Sequence, residues 1–210
     1  MSLISAGTLT AITDGIAGAG YAIIPGFLPP PLIREFAEEA LLLQQDGRMR
    51  RALTGNDKSI SSGTNPRGDF IYWLDEQPTC GPQRAYVQAL REVMESLNQA
   101  LYLGLFELEA HYAIYPEGAV YHKHLDQFRG KEERQISCIL YLNQDWQERD
   151  GGKLRLYLNG TDNTAFTDIT PLGGTLVTFL SGRFIHEVLP AGRERISLTG
   201  WLRKRAITVL

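Results

Sequence analysis

The chain reads as a mainly β protein with flanking helices. Three observations carry that reading. From residue 108 onward, short runs rich in β-branched and aromatic residues follow one another at close, even spacing, with turn residues between them. Before that point, apolar residues recur mostly at helical spacing. The chain has 210 residues, 43% of them hydrophobic and 21% charged, which suits one globular unit and excludes a wholly disordered or fibrous chain. Helices first and strands later predict a sandwich or barrel with helices packed on one face.

The elements follow in order. Residues 8–18 are a short helix candidate, weakened by Gly15 and Gly18. Tyr21-Ala-Ile-Ile24 reads as a strand closed by Pro25-Gly26. Pro29-Pro30-Pro31 precedes a helix over 32–45, on which Leu32, Ile33, Phe36, Ala37, Ala40 and Leu41 share a face and which Gly47 ends. Residues 82–101 are the clearest helix, with Tyr86, Val87, Leu90, Val93, Met94, Leu97 and Leu101 on one stripe. Between these helices, Gly47–Gly68 is rich in Gly, Ser and Asn and carries Arg48, Arg50, Arg51, Lys58 and Arg67 against the single acid Asp57. A long polar stretch inside a compact domain is either a solvated surface loop or a functional one. Residues 69–74 then read as a strand. The β half offers strands at 109–115, 119–125, 136–143, 153–158, 164–169, 175–180, 184–189 and 195–203. Pro116-Glu-Gly118, Gly151-Gly152, Asn159-Gly160, Gly173-Gly174, Ser181-Gly182 and Ala191-Gly192 separate them. The whole, 1–210, is expected to be one domain: a helical support with early strands over 1–107 and a β core over 108–210.

Composition narrows the function. Lys and Arg number 21 against 24 Asp and Glu, a net charge of −3, so no global basic field favours nucleic acid. Cys80 and Cys138 form no CxxC pair and read as buried apolar residues of a reducing compartment. No apolar run approaches membrane-spanning length, and the N-terminal stretch lacks the pattern of a signal peptide, so no membrane association and a cytoplasmic location are expected.

The chemistry-bearing residues are few. The histidines are His111, His122, His124 and His186. In His124-Leu125-Asp126, strand geometry puts the imidazole and the carboxylate on one face. His186, 60 positions after Asp126, could close the third corner. Two neutral imidazoles and one carboxylate with open positions form the facial triad of non-haem Fe(II) oxygenases. A His₂Asp set with water also suits zinc, and a lone His-x-Asp is commonly polar surface. The neighbours discriminate. Arg195, Ser197, Thr199 and Trp201 share one strand face, while Ile196, Leu198 and Leu202 take the other. An inward guanidinium needs an anion, and a bidentate carboxylate is its best partner; the alternative is a solvated Arg195. Ile139 and Tyr141 also share a face, so the Tyr141 hydroxyl could reach the same carboxylate or could end on a backbone partner. Leu154 and Val188 could supply apolar walls.

With these residues in view, the sequence resembles the Fe(II)- and 2-oxoglutarate-dependent prolyl 4-hydroxylases, near the hypoxia-sensing enzymes of animals and their bacterial homologues. The resemblance rests on Tyr115-Pro-Glu-Gly118, Tyr121-His-Lys-His-Leu-Asp126, Tyr141-Leu-Asn-Gln-Asp-Trp146, Asp150-Gly-Gly152, His186-Glu-Val-Leu-Pro190 and Arg195-Ile-Ser-Leu-Thr-Gly-Trp201. It extends upstream through Gly20–Phe27 and Arg67–Trp73, and so covers nearly the whole chain.

The resemblance implies a double-stranded β-helix core (jelly-roll, cupin-like) packed by N-terminal helices. It implies Fe(II) on His124, Asp126 and His186, and 2-oxoglutarate held by Arg195 and Tyr141. Tyr115, Thr199, Ile139, Leu154 and Val188 would complete that cofactor pocket. Arg134, Trp201, Tyr121 and Asp69 would lie on the substrate side, with Asp69 and Arg134 as a pair linking loop and core. The stretch 48–68 corresponds to a loop that covers the substrate in this family. O₂ would be co-substrate and ascorbate a possible accessory reductant. The implied partner is a protein bearing a target proline, with elongation factor Tu the partner of bacterial members. Two departures stand out: His122 beside the triad as a rival ligand, and Gly200 where a branched residue is usual, which would widen the pocket. Rival readings are the same chemistry on nucleic acid or a small molecule, for which Arg48–Arg51 and Arg203-Lys-Arg205 are local basic clusters, and a non-enzymatic metal-binding β-barrel module.

Overall fold

The computed structural model describes residues 2–53, 67–75, 78, 81–127, 133–159 and 162–205. The expected covering loop lies mostly outside these residues, as does Cys80.

Helix α1 (Ala6–Gly18) is capped by Ser5, whose hydroxyl accepts from the Thr8 amide. Strand β1 (Tyr21–Ile24) leads to α2 (Pro30–Gln45). This helix starts at Pro30 rather than after the proline run, because a proline has no amide to lose in a first turn. Next come β2 (Arg50–Arg51), which sequence inspection left inside a loop, and β3 (Phe70–Trp73). Two residues are too few to show any periodicity, and β2 exists only through its pairing with β3. Helix α3 (Gly81–Leu101) buries Tyr86, Val87, Ala89, Leu90, Val93 and Leu97.

The β half comprises β4 (Glu107–Tyr115), β5 (Tyr121–His124), β6 (Arg134–Tyr141), β7 (Leu154–Asn159), β8 (Asp162–Ile169), β9 (Leu176–Leu180), β10 (His186–Val188) and β11 (Arg195–Arg203), with a short 3-10 turn at Glu148–Asp150. Strands β5 and β10 are shorter than the expected 119–125 and 184–189. All ladders are antiparallel, as a seven-stranded sheet β1-β9-β6-β11-β4-β3-β2 facing a four-stranded sheet β5-β10-β7-β8. This is the jelly-roll core with helices on one side.

The period-2 alternation of the larger sheet creates two cores. Tyr112, Ile114, Ile136, Cys138, Leu140, Leu176, Ile196, Leu198 and Leu202 pack with the three helices. Ala113, Tyr115, Ile139, Tyr141, Val177 and Phe179 face the smaller sheet, where they meet Leu154, Leu156 and Val188. The space between this second face and the smaller sheet holds the expected site: His124 and His186 come from β5 and β10 of the smaller sheet, Arg195 and Tyr141 from the larger one.

Gly200 belongs to the first face, so it does not widen the pocket as its sequence position suggested. A Cβ there would meet the Tyr86 hydroxyl at 3.1 Å and the Glu109 carbonyl at 3.2 Å. The missing side chain makes room for Tyr86 beneath the sheet.

Candidate active site

Strands β5 and β10 pair so that His186 lies opposite His124, which brings two residues 62 apart in sequence into contact. Asp126 follows β5 by two residues. One ligand atom from each of His124, Asp126 and His186 lies within 4.8 Å of the others. The Asp126 carboxylate reaches both imidazoles, with Oδ1 3.6 Å from His124 Nε2 and Oδ2 3.7 Å from His186 Nε2. Each Nδ1 is engaged behind: His124 with the His122 carbonyl at 2.7 Å, His186 with the Phe184 carbonyl at 3.1 Å. Those bonds place the ring protons on Nδ1 and turn both Nε2 lone pairs to the common centre.

The electrostatics agree with a cation site. Burial is the largest influence on Asp126 and pushes its carboxyl up, but His186, His124 and the Ser137 hydroxyl together hold it below the usual carboxylate range. Burial, helped by His124, lowers His186 to about 4 against the opposing pull of Asp126. Neutral imidazoles and an ionised carboxylate are the forms that bind a metal. Behind Asp126 stand two buried hydroxyls: Ser137 donates to its Oδ2 at 2.6 Å and lies 2.9 Å from Ser181. His122 is exposed and is not one of the converging ligands.

The inner pocket beside the triad is lined by Tyr115, Ile139, Leu154, Val188, Arg195, Ser197 and Thr199. Arg195 is 1% exposed. Its Nε donates to the Gly152 carbonyl at 3.0 Å, and no carboxylate among the described residues pairs with it. Gly152 has φ +64°, and a Cβ there would lie 3.3 Å from Arg195 Cδ, so the glycine lets the arginine pass. The guanidinium sits about equally far from the rings of Tyr115 and Tyr141, 5.1 and 5.0 Å. Burial pushes the Tyr141 hydroxyl up to about 12, with Arg195 opposing, so it stays a neutral donor. The Tyr141 hydroxyl and Ser197 Oγ are buried without a hydrogen-bond partner.

The outer groove, about 380 Å³, opens from the triad past Tyr121, Arg67, Arg134, Trp73 and Trp201. Tyr121 stacks on His124 with ring centroids 3.5 Å apart. Arg134 lies 3.7 Å over the Trp201 ring and ion-pairs with Glu109. The expected Asp69–Arg134 pair is not formed. Asp69 instead takes both prongs of Arg67, Nε to Oδ1 at 2.9 Å and Nη2 to Oδ2 at 2.6 Å. Arg67 is two residues away and its fork matches the carboxylate, while β11 separates β4 from β6 and sets Glu109 within reach of Arg134. Asp69 is fully buried and meets the groove only through Arg67.

Sequence inspection did not single out Arg67, Trp73, Ser137 or His111 as individual site residues. Arg67 and Trp73 lay within a motif already noted. Ser137 is marked only by its place on the β6 face opposite Cys138. His111 shares the β11-facing register with Thr199 and lines both pockets.

Three comparisons place this geometry. Residues 110–203 match the model of the 2OG-Fe(II) oxygenase superfamily. The crystal structure of a Pseudomonas putida prolyl-4-hydroxylase superposes with a TM-score of 0.84 at 42% identity, covering 94% of this chain and all of that one. The chain belongs to the prolyl hydroxylase family of 2OG-Fe(II) oxygenases. A prolyl hydroxylase from Trichoplax adhaerens, in complex with a hypoxia-inducible factor peptide fragment, matches at 25% identity and a TM-score of 0.81, covering 93% of this chain and 89% of that one. Human Egl nine homolog 1 is 30% identical over 190 residues, 87% of this chain and 43% of that protein. The chain spans about half the length, or less, of the curated relatives it matches first.

The residues fit both groups that this family carries. His124, Asp126 and His186 offer a neutral-imidazole and carboxylate donor set on one side only, the arrangement of Fe(II) oxygenases rather than of a closed structural zinc site. Arg195 offers an unpaired buried cation, and the orphaned Tyr141 hydroxyl a donor, to the distal carboxylate of 2-oxoglutarate.

Proposed function

We propose that the chain is a peptidyl-proline 4-dioxygenase that hydroxylates C4 of a prolyl residue in a protein, and that this protein is elongation factor Tu. The observation that carries the reading is the buried guanidinium of Arg195, without a carboxylate partner among the described residues, on the larger sheet and lining the same pocket as the iron triad of the smaller one. The match to a Pseudomonas putida prolyl-4-hydroxylase over 94% of this chain supports the choice of proline. The groove beyond the triad, walled by Trp73, Trp201 and Arg134, supports an extended segment over a free metabolite.

In this reading His124, Asp126 and His186 hold the iron. Bound there with 2-oxoglutarate and O₂, it supplies the oxidising power to put one oxygen atom on a C–H bond, with succinate and CO₂ as co-products. The chain does the rest. Arg195 fixes the far carboxylate of 2-oxoglutarate, with Tyr141 donating beside it, and Tyr115 and Thr199 line the approach. Ile139, Leu154 and Val188 keep water from the co-substrate. Trp201, Tyr121 and Arg134 hold the target ring over the triad, and Asp69 holds Arg67 in the groove wall. Positioning and exclusion of water are what a protein adds to cofactor chemistry. We read residues 1–210 as one such domain, cytoplasmic in location, with ascorbate keeping the iron reduced. No helix among the described residues is long and apolar enough to cross a membrane.

The test is succinate formation by anaerobically iron-loaded protein after O₂ is admitted, with and without elongation factor Tu. His124→Ala and Arg195→Ala run beside it. Succinate that rises with the factor, with one oxygen atom gained on a single proline, supports the reading. Turnover stimulated only by an oligonucleotide or a small molecule overturns it.

A further inference from the structure

His111 stands out among the residues the mechanism does not use. It is 1% exposed, and neither ring nitrogen has a hydrogen-bond partner. A buried imidazole with both polar atoms unmatched is costly, and native proteins rarely retain one without a reason. Its place supplies that reason. It lines both the inner pocket and the outer groove, at the point where one opens into the other. Trp73 and Trp201 flank it, with ring centroids 4.8 and 5.4 Å away, and fix the ring. It is not part of the converging ligand set.

We propose that His111 is a substrate-positioning residue whose imidazole N–H donates to a main-chain carbonyl of the protein segment lying in the outer groove. The inference rests on the functional reading above. The ring is neutral, because burial and the Arg67 and Arg134 cations disfavour its charged form. A neutral donor is a poor partner for a carboxylate beside the far better Arg195, which argues against a role in holding 2-oxoglutarate. It suits a neutral main chain. A proline-centred segment is short of donors, since proline has no amide N–H, and long on carbonyl acceptors. The groove must therefore supply donors, and His111 is a buried, unpartnered one between the two pockets, beside the equally unpartnered Trp201 indole N–H.

The test compares wild type, H111F and H111Q. Phe keeps an aromatic ring between the two indoles and removes both nitrogens, whereas Gln restores a donor. Two measurements are made: equilibrium binding of elongation factor Tu, and of a peptide mixture with proline fixed among random flanks, to iron-loaded protein without O₂; and KM for each partner and for 2-oxoglutarate on admitting O₂. H111F should weaken binding and raise the protein KM roughly five- to a hundredfold, the cost of a buried carbonyl losing its donor. The KM for 2-oxoglutarate should move by less than about twofold, and H111Q should recover most of the loss. Unchanged partner binding in H111F overturns the inference, as does an equal rise in the KM for 2-oxoglutarate. A wild type that binds and turns over neither probe overturns the functional reading, and this inference with it. A wild type that does so while H111F matches it overturns this inference alone.

Discussion

Replacing Arg195 with Met should separate binding from stability. The guanidinium is 1% exposed, donates to the Gly152 carbonyl at 3.0 Å and pairs with no carboxylate among the described residues. A buried cation without a counter-charge costs several kcal/mol, so its removal should not lower the melting temperature of the protein without 2-oxoglutarate. With 2-oxoglutarate at a hundred times the wild-type Kd, the wild type gains about 2.7 kcal/mol. For a domain of this size that is about 5–11 °C. Two charge-assisted bonds to a carboxylate contribute at least about 3 kcal/mol, so their loss raises Kd about 150-fold. The same 2-oxoglutarate concentration then leaves the variant about 0.3 kcal/mol, a shift near 1 °C. The assay is thermal unfolding of anaerobic, iron-loaded protein with and without 2-oxoglutarate. A shift of wild-type size in the variant would refute the carboxylate clamp. A variant that melts many degrees lower without 2-oxoglutarate would show that the arginine serves the fold.

Three further outcomes are expected. Ser137→Ala removes the 2.6 Å bond that orients Asp126 and should weaken iron affinity about 10- to 100-fold, read by metal competition, with little change in melting temperature. Gly200→Val crowds the Tyr86 hydroxyl and the Glu109 carbonyl and should cost about 1–3 kcal/mol in urea unfolding while leaving the KM for 2-oxoglutarate in place; a shifted KM would return Gly200 to the pocket. The buried, depressed His111, at about 3 in the folded protein, is neutral there while its unfolded counterpart takes up a proton below its ordinary value of 6.5. Its contribution to stability is thus complete above that value and lost as pH falls toward the folded value. Wild type should lose about 1.4 kcal/mol per pH unit more than His111→Phe between about pH 6 and pH 4, and parallel curves would contradict the buried neutral imidazole.

What the sequence made legible follows from periodicity. Alternation along 195–203 separated Arg195, Ser197, Thr199 and Trp201 from Ile196, Leu198 and Leu202 before any coordinates, because side-chain direction in a strand depends only on parity. The same rule put His124 beside Asp126. It says nothing about which strands are neighbours, which is where the Asp69–Arg134 expectation fails; the Gly200 expectation fails on parity itself. The resemblance implies Asp69 and Arg134 as a pair linking loop and core, whereas Asp69 takes Arg67, two residues away, and Arg134 takes Glu109. Gly200 was placed at the pocket, although its even position already put it with Ile196 and Leu198 on the helix side. His111 escaped notice because nothing local marks a histidine as unpartnered; that property appears only when Trp73 and Trp201, from two other strands, close around it.

Strand β11 shows how tightly site and scaffold are joined. It lies between β4 and β6; its Ile196, Leu198 and Leu202 pack in the helix-side core, while Arg195, Ser197, Thr199 and Trp201 line the pocket. A slip of one residue would carry Arg195 to the helices and a leucine to the triad. The apolar residues Ile196, Leu198 and Leu202 therefore do more than stabilise the domain. By packing in the core shared with the helices they fix the register that presents Arg195 opposite Tyr115 and Thr199 opposite His111. Substitutions on the even face should accordingly act on melting temperature first, and those on the odd face on ligand and partner affinity. A shift of register would move both together.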